Sequence, residues 1–150
     1  MIVEDCPDIA AALQVRMRAA GVSVRHAMDG AAGLAMVNER PPDAMLLDIR
    51  MPGMGGIEVC RRLKSGPATA GFPVIFLTAE TCDLTRQAAL AAGGHCVIAK
   101  PYQAQRLIHA IQDACGSGRT PSDRNPIAST GTPGIGVPQD AITRWITPTP

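Results

Sequence analysis

The amino-acid order predicts an α/β fold, with one parallel sheet covered by helices on both faces. Three observations carry that expectation. Short apolar runs recur along most of the chain, stretches with helical spacing fall between them, and the connections are too long for hairpins.

The runs Met1-Ile2-Val3, Ala44 to Leu47, Val74 to Leu77 and Cys96 to Ala99 show no two-residue alternation, as strands buried on both faces should not. Val22 to Ala27 does alternate, with Val22 and Val24 against Ser23 and Arg25, and is expected as a half-exposed strand at the sheet margin. Helical spacing joins Ile9, Leu13 and Met17, then Leu34 and Val37, then Ile57, Cys60 and Leu63. It joins Leu84, Ala88 and Ala91, and finally Leu107, Ile108 and Ile111, so strand and helix alternate throughout. Gly21, Gly93 and Gly94 stand just past helical stretches, where a left-handed cap residue is favoured.

With 150 residues, 46% of them hydrophobic, one core can be filled and one domain is expected, over residues 1–116. After Cys115 the chain turns rich in Gly, Pro, Ser and Thr with few large apolar residues, which predicts a flexible tail over 117–150. One patch there, Ala141 to Ile146, holds the only tryptophan, Trp145. A near balance of 14 basic and 13 acidic residues indicates no nucleic-acid surface, and the tail has no basic stripe or helix-turn-helix pattern. No apolar run approaches the roughly 20 residues of a membrane helix, and the start lacks the anatomy of a signal peptide, so a cytoplasmic protein is expected. Five cysteines at irregular spacing, without a CxxC pair, fit reduced thiols; Cys6 is set apart by following the acidic pair directly.

In open parallel sheets ligands bind beyond the carboxyl ends of the strands. Four of the five runs end there in reactive groups: Glu4-Asp5, Asp48, Thr78 and Lys100. Taken singly, each has an ordinary explanation as a solvated charge or a helix cap. Together they would bring three carboxylates, a hydroxyl and an ammonium into one pocket. Carboxylates 4 Å apart repel by about 4 kcal/mol per pair at an effective dielectric near 20, so the cluster calls for a cation or protons. An all-oxygen donor set with open positions suits Mg²⁺. With the charge offset by metal and Lys100, a carboxylate can attack phosphorus to give an acyl phosphate, and Thr78 could donate to a phosphoryl oxygen.

The segments Val3-Glu4-Asp5, Leu46-Leu47-Asp48-Ile49-Arg50-Met51-Pro52-Gly53-Met54-Gly55-Gly56, Phe76-Leu77-Thr78-Ala79 and Ala99-Lys100-Pro101-Tyr102 resemble the receiver domains of bacterial response regulators. The separations agree as well, 30 residues from Asp48 to Thr78 and 22 from Thr78 to Lys100. The resemblance implies a flavodoxin-like doubly wound (βα)5 sandwich with strand order 2-1-3-4-5. It implies Asp48 as phosphoacceptor, Asp5 as a direct Mg²⁺ ligand, Glu4 as a ligand through water and the Arg50 backbone carbonyl as a further ligand. Thr78 and Lys100 would contact the phosphoryl group, and the Lys100–Pro101 peptide would be cis. The implied donor is a sensor histidine kinase or a histidine phosphotransfer protein. Output would pass to a protein target through the face of the fourth helix, fifth strand and fifth helix, which carries Arg106 and His109. Such a domain is not a classical enzyme, and only assists its own phosphorylation and dephosphorylation.

Several positions depart from that pattern. Receivers usually have more residues before the acidic pair, and losing two buried apolar side chains there would cost about 3 to 6 kcal/mol, against a total stability of about 5 to 15. A truncated or misassigned start, or a marginally stable domain, is expected. Val97 stands where a switching Tyr or Phe is usual, which puts the aromatic output switch in question, and Tyr102 replaces the commoner Phe. Gly55 stands where Asp or Asn is common, with local consequences only. Arg50 and Glu80 should flank the entrance, where a pair between them would control water access to the acyl phosphate. Two rival readings remain at this stage. A phosphatase of the haloacid dehalogenase kind needs a second Asp two positions after the nucleophile, where Arg50 stands. The other rival is a phosphorylation-independent interaction module, or a fragment of a larger regulator.

Overall fold

The computed structural model describes residues 1–80 and 82–116; the expected tail and its Trp145 patch lie outside them. The apolar runs become strands β1 (Ile2–Val3), β3 (Met45–Asp48), β4 (Val74–Thr78) and β5 (Cys96–Ala99), with β2 (His26–Ala27) at one edge. Helices α1 (Pro7–Ala19), α2 (Gly30–Glu39), α3 (Gly56–Ser65), α4 (Asp83–Ala91) and α5 (Ala104–Gly116) alternate with them. All pairings are parallel and the order is β2-β1-β3-β4-β5, the expected flavodoxin-like arrangement.

The register aligns Val3 with Leu47, Leu47 with Phe76 and Phe76 with Val97, one row across four strands. That row packs on Val37 of α2, Val59, Cys60 and Leu63 of α3, and Ala89 of α4. The alternate positions Ile2, Leu46, Ile75, Leu77 and Ile98 face Leu13 and Met17 of α1 and Leu107 and Ala114 of α5. Both sheet faces are thus covered, which is why the central strands are apolar up to their carboxyl ends.

Local signals explain the helix ends. Pro7 opens α1, Asp8 lies in its first turn and Arg16 and Arg18 in its last, matching the helix dipole. Beyond it Gly21 takes φ +76°, its N–H bonding the Arg18 carbonyl while the Val22 N–H bonds that of Met17. The Asp29 carboxylate caps α2 by accepting from the Ala32 N–H at 2.7 Å.

Three expectations are corrected. The marginal strand expected over Val22 to Ala27 shrinks to His26–Ala27, because β1 offers only Ile2 and Val3 as partners. Val22 and Val24 instead pack against the α1/α5 core, and the Arg25 guanidinium bonds the Met36 and Arg40 carbonyls at the end of α2. The buried stripe of α4 is not Leu84, Ala88 and Ala91: Leu84 is 74% exposed, and Ala89 with the following Ala92 is buried. Small residues are needed there because a Cβ at Gly94 would meet Phe76 at 2.6 Å and the Ala89 carbonyl at 2.9 Å. Of Gly93 and Gly94, only Gly93 takes a positive φ. No helix among the described residues is long and apolar enough to cross a membrane.

Candidate functional site

Asp48 and Thr78 are the last residues of β3 and β4, Glu4 and Asp5 follow β1, and Lys100 follows β5. The aligned register carries all five to one edge of the sheet. Glu4, Asp48 and Thr78 are the buried polar residues among those described, at 1%, 6% and 2% exposure. Ligand atoms of Glu4, Asp5 and Asp48 lie within 4.8 Å of one another.

The Lys100 ammonium donates to Glu4 Oε2 and to Asp48 Oδ2, both at 2.8 Å. The free oxygen of each carboxylate faces a backbone donor: Glu4 Oε1 the Cys6 N–H at 3.4 Å, and Asp48 Oδ1 the Arg50 N–H at 3.3 Å. Burial raises the Glu4 pKa above the usual carboxylate value, the Lys100 bond opposes that, and the Asp48 charge adds to it. For Lys100 burial works to lower the pKa, but the bonds and charges of Asp48 and Glu4 outweigh it and hold the ammonium above the ordinary lysine value.

Thr78 Oγ1 accepts from the Glu80 N–H at 2.9 Å and donates to the Glu80 carbonyl at a long 3.3 Å. At the rim Arg50 and Glu80 pair at 3.4 Å, with side chains 75% and 42% exposed. The Lys100–Pro101 peptide is cis. Tyr102 is half-buried against the α1/α5 core, close enough to Lys100, Glu4 and Asp48 to feel their charges. Val97 is buried in the other core cluster. Arg106 and His109 line an open groove of about 530 Å³ with Arg86, Cys96 and Val97, on the α4, β5 and α5 side.

Two site features lay beyond sequence reasoning. A Cβ on Gly56, at the start of α3, would stand 2.1 Å from the Asp48 carbonyl, so helix and strand end meet only over glycine. His26 Nε2 lies 2.9 Å from the Glu4 carbonyl. The Gly55-Gly56 pair after Asp48 was the available signal for the first; nothing local signals the second.

The donor set fits a hard divalent cation, since three clustered carboxylates face a single ammonium and all offer oxygen. The acidic pocket and its lysine stand at the carboxyl edge of a 2-1-3-4-5 parallel sheet, where doubly wound folds bind their ligands. Residues 1–112 match the response regulator receiver domain, and the chain belongs to that family. Receiver domains of this family bind Mg²⁺ at an acidic pocket, interact with histidine kinases and phosphotransfer proteins, and are signalling domains rather than classical enzymes.

The chain is 32% identical over 144 residues to the DNA-binding response regulator MtrA of Mycolicibacterium smegmatis, covering 96% of this chain and 61% of that protein. It is 36% identical over 107 residues to the transcriptional regulatory protein YrkP of Bacillus subtilis, covering 71% and 45%. The chain therefore spans about half the length of these relatives. Among solved structures, it is similar to the signal receiver domain of a histidine kinase from Syntrophus aciditrophicus, with TM-score 0.74, 26% identity, and 87% and 96% coverage. It is likewise similar to the chemotaxis protein CheY4 of Vibrio cholerae, with TM-score 0.72, 26% identity, and 75% and 94% coverage. Because relatives of greater length are named as DNA-binding or transcriptional regulators, the expectation of no nucleic-acid partner finds no support.

Proposed function

We propose that this receiver takes a phosphoryl group onto Asp48 from a phosphohistidine of a sensor kinase or phosphotransfer protein, with Mg²⁺ bound beside it, and passes the signal on through protein contacts. The observation that carries this reading is the Lys100 ammonium, 2.8 Å from both Glu4 and Asp48 at the carboxyl edge of the sheet. A carboxylate oxygen of Asp48 forms the new P–O bond as the P–N bond of the donor breaks, and the imidazole keeps the electron pair. Lys100 already stands beside the acceptor and can offer its remaining donor capacity to phosphoryl oxygens. Thr78 holds its hydroxyl proton only in a long contact, so it can turn that donor to the incoming group. Glu4, Asp5, Asp48 and the Arg50 carbonyl would hold Mg²⁺, which when bound offsets the charge between the carboxylates and the phosphoryl oxygens.

Output would run through the groove face that carries Arg106 and His109. With Val97 in the buried row, no aromatic ring is available at that position to turn inward, so the signal would travel by another shift of α4 and β5. A DNA-binding output of the kind named for the longer relatives would belong to a longer protein in which this domain is the receiver part.

The test is intact mass after incubation with acetyl phosphate, with and without Mg²⁺, for the natural sequence and for Asp48→Asn. A metal-dependent phosphoryl adduct absent from the variant is expected. A folded protein that takes no adduct would sink the phosphoacceptor reading and favour a phosphorylation-independent interaction module.

A further inference from the structure

The three carboxylates are not held alike. Glu4 and Asp48 each accept from Lys100 and face a backbone N–H. Among the described residues no donor bonds the Asp5 carboxylate, so its direction rests on the backbone that carries it. That backbone is the Glu4–Asp5 peptide, a rigid plane whose orientation sets where the Asp5 side chain departs. The neighbouring ladder ends before it: β1 and β2 pair through Ile2 with His26 and Val3 with Ala27, and the Glu4 N–H still reaches the Ala27 carbonyl at 3.1 Å. Past that point the chain leaves the sheet, with Asp29 capping α2. The Glu4 carbonyl of that peptide meets the His26 ring, Nε2 at 2.9 Å. A carbonyl only accepts, so the ring donates from Nε2.

We infer that His26 is a positioning residue for the cation site, its ring N–H holding the Glu4–Asp5 peptide so that the Asp5 carboxylate is presented to Mg²⁺. The inference rests on the proposed phosphoacceptor reading and deepens it. His26 meets the acidic pair through a backbone atom, so what the site requires at position 26 is an N–H donor of the right reach. Removing a group that orients a ligand weakens metal binding by about 10- to 100-fold.

The experiment compares His26→Gln, which keeps an amide donor at similar reach, with His26→Met, which keeps length but has none. Mg²⁺ affinity is read by titration calorimetry, folding by thermal melting without metal, and adduct formation with acetyl phosphate across Mg²⁺ concentrations. His26→Met should bind Mg²⁺ about tenfold more weakly and need correspondingly more Mg²⁺ for the same adduct. His26→Gln should recover most of the affinity. If His26→Met fails to fold, His26→Asn replaces it, because its amide is one methylene too short to reach. Equal Mg²⁺ affinity in the donor-free variant and the natural sequence would overturn the inference while leaving the phosphoacceptor reading intact. So would an equal loss in the Met and Gln variants, which would assign the effect to ring packing. Absence of both Mg²⁺ binding and adduct in the natural sequence would instead bring down the underlying reading, and this inference with it.

Discussion

Glu4 and Lys100 stand 96 residues apart in the chain and meet at 2.8 Å, at the carboxyl edge of the sheet. The side chains are 1% and 16% exposed, so solvent screens the pair little. The same ammonium bonds Asp48, and one cation therefore holds two buried carboxylates together.

Lys100→Met should be strongly destabilising in the metal-free protein near neutral pH, by about 3 kcal/mol, because it strands two buried acids without a counter-charge. In mild acid Glu4 can take up a proton, and the loss should shrink. Urea unfolding at the two pH values checks this. An equal loss at both would show that Glu4 does not relieve the repulsion.

Glu4 itself sets a pH dependence. Its pKa is raised, by burial first, above an unfolded value of 4.5, so above 4.5 the folded state keeps more proton than the unfolded chain. Stability from this group therefore falls as pH rises from 4.5 through the raised folded value. The Lys100 shift acts elsewhere: its contribution is present below 10.5 and lost only as pH passes the still higher folded value. Glu4→Gln should flatten the metal-free stability profile above 4.5, measured by denaturant unfolding across pH in the presence of a chelator. An unchanged slope would assign the dependence to another group.

Two of the glycine positions after Asp48, Gly56 and Gly53, make a paired test. Gly56→Ala places a Cβ 2.1 Å from the Asp48 carbonyl, and should cost about 3 kcal/mol or more while displacing Asp48. Gly53→Ala meets nothing within 4 Å but sits at φ +71°, and should cost only about 1 kcal/mol through backbone strain. Denaturant midpoints and adduct yields of the two variants should separate accordingly. Similar losses would mean that α3 can move away from the strand end.

Glu80→Ala removes an exposed partner of Arg50, and an ion pair of that kind contributes about 0 to 1 kcal/mol. Thermal stability should hardly change. If the pair limits water at the acyl phosphate, the half-life of the phosphorylated protein should fall several-fold, roughly what about 1 kcal/mol in a barrier gives. Unchanged hydrolysis would reduce the pair to two solvated charges.

Sequence reasoning read most of the fold and the candidate site for local reasons. Strands covered on both faces must be apolar along most of their length, so the change to Glu4, Asp48, Thr78 or Lys100 marks the carboxyl end of each. Three such runs pair in the center of the sheet, and their lengths were recovered to within a residue or so. Val22 to Ala27 was read too long because alternation reports half-burial, and Val22 and Val24 obtain theirs from helices rather than from strand pairing. Leu84 was misread because helical spacing cannot tell which stripe of α4 lies closest to the sheet when that stripe is built of alanines.

By itself, then, the sequence determined the alternation of elements, the residues at their carboxyl ends and the family resemblance, because apolar periodicity and residue type act over a few neighbours at a time. Only the tertiary structure decided that one lysine would bridge Glu4 and Asp48, that Gly56 would lie against the Asp48 carbonyl, and that His26 would meet the carbonyl of the peptide between the acidic pair. The lysine and histidine contacts join segments distant in the chain and depend on strand order and register, which arise from how the whole core packs, while the glycine contact depends on how closely α3 returns over the end of β3.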